Sequence, residues 1–262
     1  MTAAEGLTVT DRDAVRWIEL DRPASKNGVT PDTMRAIAAA VTEAPPATRA
    51  IALAGKGGSF SSGLDLKDAM QRGLRSSDEV ERDLRDHFHG AIRALVTSSR
   101  PTVAIVDGAA AGFGCDLALA CDVRVISPRA RFGEIFVKRG LIPDGGGTWL
   151  LPRIVGLGRA LELLMTGEVI DANEAYRIGL ANRLYPEDQF AAASTAYVEA
   201  LAKGPPLVHR LIKRLVYAGL SGDLAAALDR EAVGQMQCLA SKDFAEGVAA
   251  FLGKRDPNFT GQ

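Results

Sequence analysis

Cysteine is scarce in this chain, with three (Cys115, Cys121 and Cys238) among 262 residues. Three thiols at irregular spacing make neither a disulfide framework nor a zinc site, and they read as buried thiols in a reducing compartment. Long apolar runs are absent too, since none approaches the roughly 20 residues of a membrane-spanning helix. Neither sign of charge is in excess: 31 Lys+Arg stand against 32 Asp+Glu, a formal net charge of −1. Such a balance leaves no footprint for nucleic acid, so any bound anion must be held by a local cluster. The opening MTAAEGLTVTDRD has no basic start and no apolar stretch, and no signal peptide is read there. Together these absences predict a cytoplasmic protein with neither nucleic acid nor membrane as a partner.

What remains is 47% hydrophobic and 24% charged, enough for a sizeable core in one large domain with a small appendage. Residues 15–20, VRWIEL, alternate as a strand does. Thr30 offers an N-cap before Pro31 and Asp32, and Met34, Ile37 and Val41 recur at helical spacing to about residue 43. Pro45-Pro46 ends that helix, and the apolar run at 49–55 reads as a buried strand. A helix is expected at about 79–97, a strand at 101–108, a helix of small residues at 114–121 and a strand at 123–127. Repeated strand–helix–strand units predict an α/β architecture. The charged stretch 67–82 reads as a solvated loop and helix start, or else as a lid over a site.

From Asp171, which with Glu174 resembles a capping box, the chain reads as helical to its end. A division into a core (1–195) and a helical region (196–262) follows. The latter is too small to bury a large core alone and must pack on the core, on a neighbouring subunit, or both.

Three stretches carry candidate chemistry: GSFSSGLDL (58–66), DGAAAGFGCDLALACDVRV (107–125) and RGLIPDGGGTWLLPR (139–153). The first two are glycine-rich turns, and such turns at helix starts expose N–H groups that favour an anion. Two facing turns could hold one oxygen between two donors, an oxyanion hole. The third places Asp144 between a proline and three glycines, with apolar flanks. It reads either as a turn or cap residue or as an acid/base.

In order and spacing these stretches resemble the crotonase superfamily, the enoyl-CoA hydratase/isomerase family. The likeness also takes in LDRPASKN, TGEVIDANEAYRIGLANRLYP and EGVAAFLGKRDPNFTG. The resemblance implies a crotonase-like (ClpP/crotonase) spiral of ββα units, a helical C-terminal trimerisation region, and a homotrimer or homohexamer built as a dimer of trimers. It implies an acyl-CoA thioester substrate and no separate cofactor, since coenzyme A belongs to the substrate. Carried onto this chain, the oxyanion-hole donors are the N–H groups of Leu64 and Phe113. The coenzyme A and substrate positions are Ser25, Lys26, Ser62, Asp65 and Leu66, with Phe251 and Lys254 reaching a neighbouring subunit's ligand.

Hydratases of this family use two glutamates. The first matches Asp116 and the second falls on Phe136, which cannot move a proton but can wall the substrate. The IPDGGGTWLLPR form resembles the branch of ring-1,2-epoxyphenylacetyl-CoA isomerase, with an aspartate acid/base at Asp144. Moving a double bond needs one proton removed and one returned, which a single carboxylate can do. Hydration needs a positioned water as well, and an apolar wall at Phe136 would exclude it. The expectation is therefore an acyl-CoA double-bond isomerase, with Asp144 as shuttle and Asp116 assisting. The rivals are an enoyl-CoA hydratase using Asp116 alone or with Glu134, and an acyl-CoA-binding relative with little catalysis. Glu134 is otherwise expected to be solvated. Asp122 reads as structural, His87 and His89 as lying on different helix faces with no metal between them, and His209 as a surface residue.

Overall fold

The computed structural model describes residues 2–4, 6–73 and 76–262, and over them the chain begins with three antiparallel strands, β1 (Thr2–Ala4), β2 (Leu7–Arg12) and β3 (Val15–Leu20). Asp13 and Ala14, at φ of 48° and 65°, make the tight turn between β2 and β3. Of these strands only β3 is among those expected from sequence, although Leu7, Thr8, Val9 and Thr10 of β2 alternate as well. Helix α1 (Pro31–Thr42) starts as expected, with the Thr30 hydroxyl accepting from the Thr33 N–H at 3.2 Å. Strand β4 (Ala50–Gly55) follows.

The charged stretch then folds as two short helices, α2 (Leu66–Gln71) and α3 (Ser77–Asp83). The part of it at residues 74 and 75 lies outside the described residues. A π-helical turn (Leu84–Phe88) joins α3 to α4 (His89–Thr97), giving the helix expected at 79–97. Next come β5 (Thr102–Val106), β6 (Ala109–Ala111), α5 (Phe113–Ala120), β7 (Val123–Ile126) and β8 (Arg131–Gly133). A 3-10 turn at Ile135–Arg139 leads to α6 (Gly147–Val155), α7 (Leu157–Thr166), β9 (Val169–Asp171), α8 (Ala172–Arg177) and β10 (Arg183–Leu184). Four helices finish the chain: α9 (Phe190–Ala202), α10 (Pro206–Gly219), α11 (Leu224–Leu239) and α12 (Lys242–Leu252).

One sheet has the order β1-β2-β3-β4-β5-β7-β10, parallel from β3 onward, and a smaller one the order β6-β8-β9. Period-two alternation divides the large sheet's side chains between two cores. Ile51, Leu53, Ala104 and Val106 join the main core with α1, α4 and α5. Ala50, Ala52, Val103 and Ile105 face the other way, where Phe190, Val198 and Ala202 of α9 cover them. Burial on both faces explains why these strands read as continuous apolar runs.

The expectation of helix from 171 onward is corrected at two places. Asp171 closes β9 while its side chain caps α8, accepting from the Glu174 N–H at 2.9 Å. Glu174 does not complete the capping box, because its carboxylate pairs with Arg159 and Arg177. Strand β10 pairs in parallel with β7 through Arg183–Val125 and Leu184–Ile126. Two residues are too few to show a period. Helix α9 runs across residue 195, the boundary drawn from sequence, and packs on β3 and β4.

His209 is half-buried against Gly204 rather than a surface residue, and burial lowers its pKa. Asp122 is structural as expected. It accepts from the Thr102 N–H and from Lys213 Nζ, at 2.8 and 2.9 Å, which pins α10 to the sheet. Helices α11 and α12 leave Leu224, Val233, Met236, Phe251 and Leu252 exposed. Among the described residues no helix is long and apolar enough to cross a membrane.

Candidate active site

The two glycine turns meet because their backbones are stitched together. Ser61 donates its N–H to the Ala109 carbonyl at 2.8 Å, and Ala111 donates to the Ser61 carbonyl at 2.9 Å. On the far side Val29 donates to Gly63 at 2.8 Å, and Asp65 donates to Val29 at 2.9 Å. That pattern skips Leu64, whose N–H has no acceptor among the described residues. Gly63, at φ +87°, allows the close approach: a Cβ there would stand 2.6 Å from the Ala111 carbonyl oxygen and 3.1 Å from the Phe113 nitrogen.

The second turn brings the second donor. Gly112 has φ 53° and ψ −129°, open only to glycine, and donates to the Gly133 carbonyl at 2.8 Å. Phe113 is the first residue of α5, so its N–H has no partner within the helix. None is found elsewhere among the described residues. Leu64 and Phe113 thus bring two unpaired N–H groups to the lining of one cavity of about 610 Å³.

The cavity is largely apolar. Leu66, Val80, Leu84 and Phe88 form one wall, from the charged stretch at 67–82, its edge and the expected helix that follows. Phe88 packs edge-on to Phe113, with ring centroids 5.0 Å apart. Ile135, Phe136, Leu141 and Ile142 form another wall, and Asp144 stands among them. Burial raises the Asp144 carboxyl above its ordinary range, while its own backbone N–H and His89 pull the other way. Its Oδ1 is buried without a partner. The His89 ring Nε2 lies 2.9 Å from the Asp144 carbonyl oxygen and so anchors the turn from α4.

Asp116 is close to Asp144 but has a different setting. It is fully buried and off the cavity wall, and its Oδ2 accepts the Gly145 N–H at 3.0 Å. A Cβ on Gly145 would stand 2.6 Å from the Asp116 Cβ, and one on Gly147 would stand 2.5 Å from its Oδ1. The glycines of GGG therefore let the turn lie directly on the Asp116 carboxylate. Glu134, expected to be solvated, is only 3% exposed, and neither of its oxygens has a hydrogen-bond partner. The correction has a plain cause: the residues after β8 pass beneath the glycine turn before reaching the cavity wall at Phe136.

Ser25 and Lys26 lie on a 3-10 turn tied to the first glycine turn. Ser62 donates its N–H to the Lys26 carbonyl at 2.9 Å and its hydroxyl to the Ser25 carbonyl at 3.1 Å. Lys26 and Leu66 are exposed beside them. The Asp65 side chain is already engaged, capping α2 at the Lys67 and Asp68 N–H groups and pairing with Arg22 at 2.8 Å. Phe251 and Lys254 are exposed and outside the lining of this chain's own cavity. Among the described residues no group of His, Cys, Asp and Glu is arranged to hold a metal ion.

Sequence reasoning misses His89 as a neighbour of Asp144 and brings Glu134 into the site only in the rival hydratase reading. His89 has a signal, two histidines at the start of an apolar helix, but nothing in sequence tells which faces a turn 55 residues away.

Comparison with known proteins follows the same lines. The profile of the family described as enoyl-CoA hydratase/isomerase matches residues 10–262. A Rhodobacter capsulatus protein named "probable enoyl-CoA hydratase" is 40% identical over 259 residues, which are 99% of this chain and 96% of that one. The 1,2-epoxyphenylacetyl-CoA isomerase of Escherichia coli is 32% identical, over 95% of each chain. A Thermobifida fusca protein solved in complex with CoA superposes with a TM-score of 0.84 at 33% identity, over 90% of this chain and 93% of that one.

Proposed function

The chain belongs to the enoyl-CoA hydratase/isomerase family and has its crotonase fold, and within that family we propose that it is an acyl-CoA double-bond isomerase working in the cytoplasm. The thioester oxygen would lie between the N–H groups of Leu64 and Phe113. Donors placed where charge develops stabilise the enolate formed when a neighbouring carbon loses its proton. Asp144 takes that proton from one carbon and returns it to another, so the double bond moves and the carboxylate is regenerated. Asp116 assists by holding the turn that carries Asp144.

The observation that carries this reading is a carboxylate, Asp144, set among Ile135, Phe136, Leu141 and Ile142 in the cavity that two unpaired N–H groups also line, with Phe136 at the position where the resemblance puts the hydratases' second acid. Burial favours it further, since a raised carboxyl is a better general acid/base near neutral pH. Ser25, Lys26, Ser62, Asp65 and Leu66 line the path proposed for coenzyme A, with Asp65 acting through the loop it fixes. Phe251 and Lys254 would complete that path from a neighbouring subunit of a homotrimer or a dimer of trimers. The exposed apolar residues of α11 and α12 support such an assembly.

Incubation of the purified protein with a 3-enoyl-CoA and with crotonyl-CoA tests the reading. Double-bond shift of the first with little hydration of the second is expected. Rapid hydration without a shift would replace the isomerase by a hydratase, the activity named for the Rhodobacter relative. Tight binding without turnover would point to a binding protein.

A further inference from the structure

Glu134 has no part in the proton path just described, yet its surroundings are unusual for a carboxyl. It is 3% exposed, and neither oxygen has a hydrogen-bond partner. On one side lies a cavity of about 10 Å³ lined mostly by apolar residues, among them Leu151, Leu163 and Ile170. On the other is Gly147, where a Cβ would stand 3.3 Å from the Glu134 Cδ and 2.5 Å from Asp116 Oδ1. The two carboxyls therefore press on the same glycine from beneath. The charged and titratable groups facing Glu134 are Cys115 and Asp116 of α5, Asp144 of the turn with His89 beyond it, and Glu168 across the small cavity. None of these is a lysine or arginine. The Cys115 thiol is a weak donor, outweighed by the burial.

Two adjacent carboxyls without a cation cannot both ionise in such a place, and they titrate as a pair. Asp116 accepts the Gly145 N–H at Oδ2, but its Oδ1 is buried without a partner, as are both Glu134 oxygens, and burial raises both carboxyls, Asp116 further through the nearby Glu134 and Asp144. We propose that Asp116 and Glu134 share one proton beneath the glycine turn, and that Glu134 is a positioning residue: while the proton is kept, the turn and Asp144 hold their working place. The positioning half rests on the role proposed above for Asp144, whereas the sharing of the proton does not. Loss of the proton puts a second negative charge under Gly147, repelling Asp116 and Asp144 together.

Burial lifts the Glu134 carboxyl from 4.5 to about 7, so the folded chain keeps a proton that the unfolded chain releases. Stability then falls as pH rises from about 4.5 to about 7 and stays lost above that. Glu134→Gln carries a neutral side chain of the same shape at every pH.

The experiment has two arms. In the ligand-free protein, the wild-type Tm should fall between about pH 4.5 and about pH 7, while the E134Q curve stays flatter and lies above it at the alkaline end. In the isomerase assay, wild-type kcat should fall on the alkaline side with KM little changed, and E134Q should keep its kcat to higher pH. Parallel Tm curves would overturn the shared proton whether or not the protein is an isomerase. Divergent Tm curves with identical alkaline limbs in kcat would overturn the positioning role. Should E134Q fail to fold, infrared spectroscopy of wild-type protein with isotope-labelled glutamate decides the matter. A carboxylic-acid band at about pH 6 that disappears by about pH 8 is expected, and its absence at both would overturn the proposal.

Discussion

The imidazole of His89 lies 2.9 Å from the backbone carbonyl of Asp144, joining the start of α4 to the turn that carries Asp144 on the cavity wall. The contact is to the backbone, so it places the residue without competing for its carboxyl oxygens. His89→Ala should lower kcat on the order of tenfold while leaving KM nearly unchanged, since a small displacement of a reacting group is costly. Steady-state kinetics with a 3-enoyl-CoA measures this. A rise in KM alone would show that the histidine serves binding.

Asp144→Asn keeps the shape of the turn and removes the base. Isomerisation should fall about 10²–10⁴-fold. Exchange of substrate α-protons with deuterated solvent should stop as well, while acyl-CoA binding by calorimetry persists. Unchanged turnover would remove Asp144 from the mechanism.

The pH dependence of the wild type should show the same group. Burial raises the Asp144 carboxyl, so its ionised, proton-accepting form is lost at a higher pH than for a solvated aspartate. In kcat/KM the acid limb should lie above the ordinary 3.8, and the limb should vanish in D144N.

Gly112→Ala should be severe. The backbone there has φ 53°, which an L side chain rarely adopts, although the added Cβ would meet Ile135 and Phe136 only at ordinary contact distances of 3.8 and 3.9 Å. Any relief moves the Phe113 N–H, and loss of one such donor costs about 10²–10³ in kcat. A fall in kcat with retained fold by circular dichroism is the expected result.

Phe136→Glu returns an acid to the cavity wall. Hydration of crotonyl-CoA should rise relative to double-bond shift, read as the ratio of the two products. No change in that ratio would show that the apolar ring is not what suppresses hydration.

Much of the fold is legible in the order of the residues alone. The strand at 15–20 follows from its alternation, that at 49–55 from a short apolar run between breakers, and the helix after Thr30 from period and capping, all local properties. The N–H pair at Leu64 and Phe113 rests in sequence on resemblance, and its unpaired state is visible only once the Ser61–Ala110 and Val29–Leu64 bridges are seen. Strand β10 and the burial of Glu134 have no local signal. A two-residue strand has no pattern, and a glutamate in FGEIFVKR looks solvated until the chain is known to pass beneath the glycine turn. The cavity wall at 66–88 is hidden for a related reason: Leu66, Val80, Leu84 and Phe88 are scattered among charged residues, of which Asp68, Arg72 and Asp83 line the same cavity.

That wall is supplied by one continuous stretch, 66–88, while the carboxylate and both N–H donors come from elsewhere in the chain. One wall of the cavity is thus encoded apart from the reacting groups, while the wall at Ile135, Phe136, Leu141 and Ile142 shares its segment with Asp144. Exchange of residues in 66–88 that do not touch Phe113 would retune the accepted acyl group and leave the reacting groups in register. Within such a fold, divergence in substrate can run ahead of divergence in reaction.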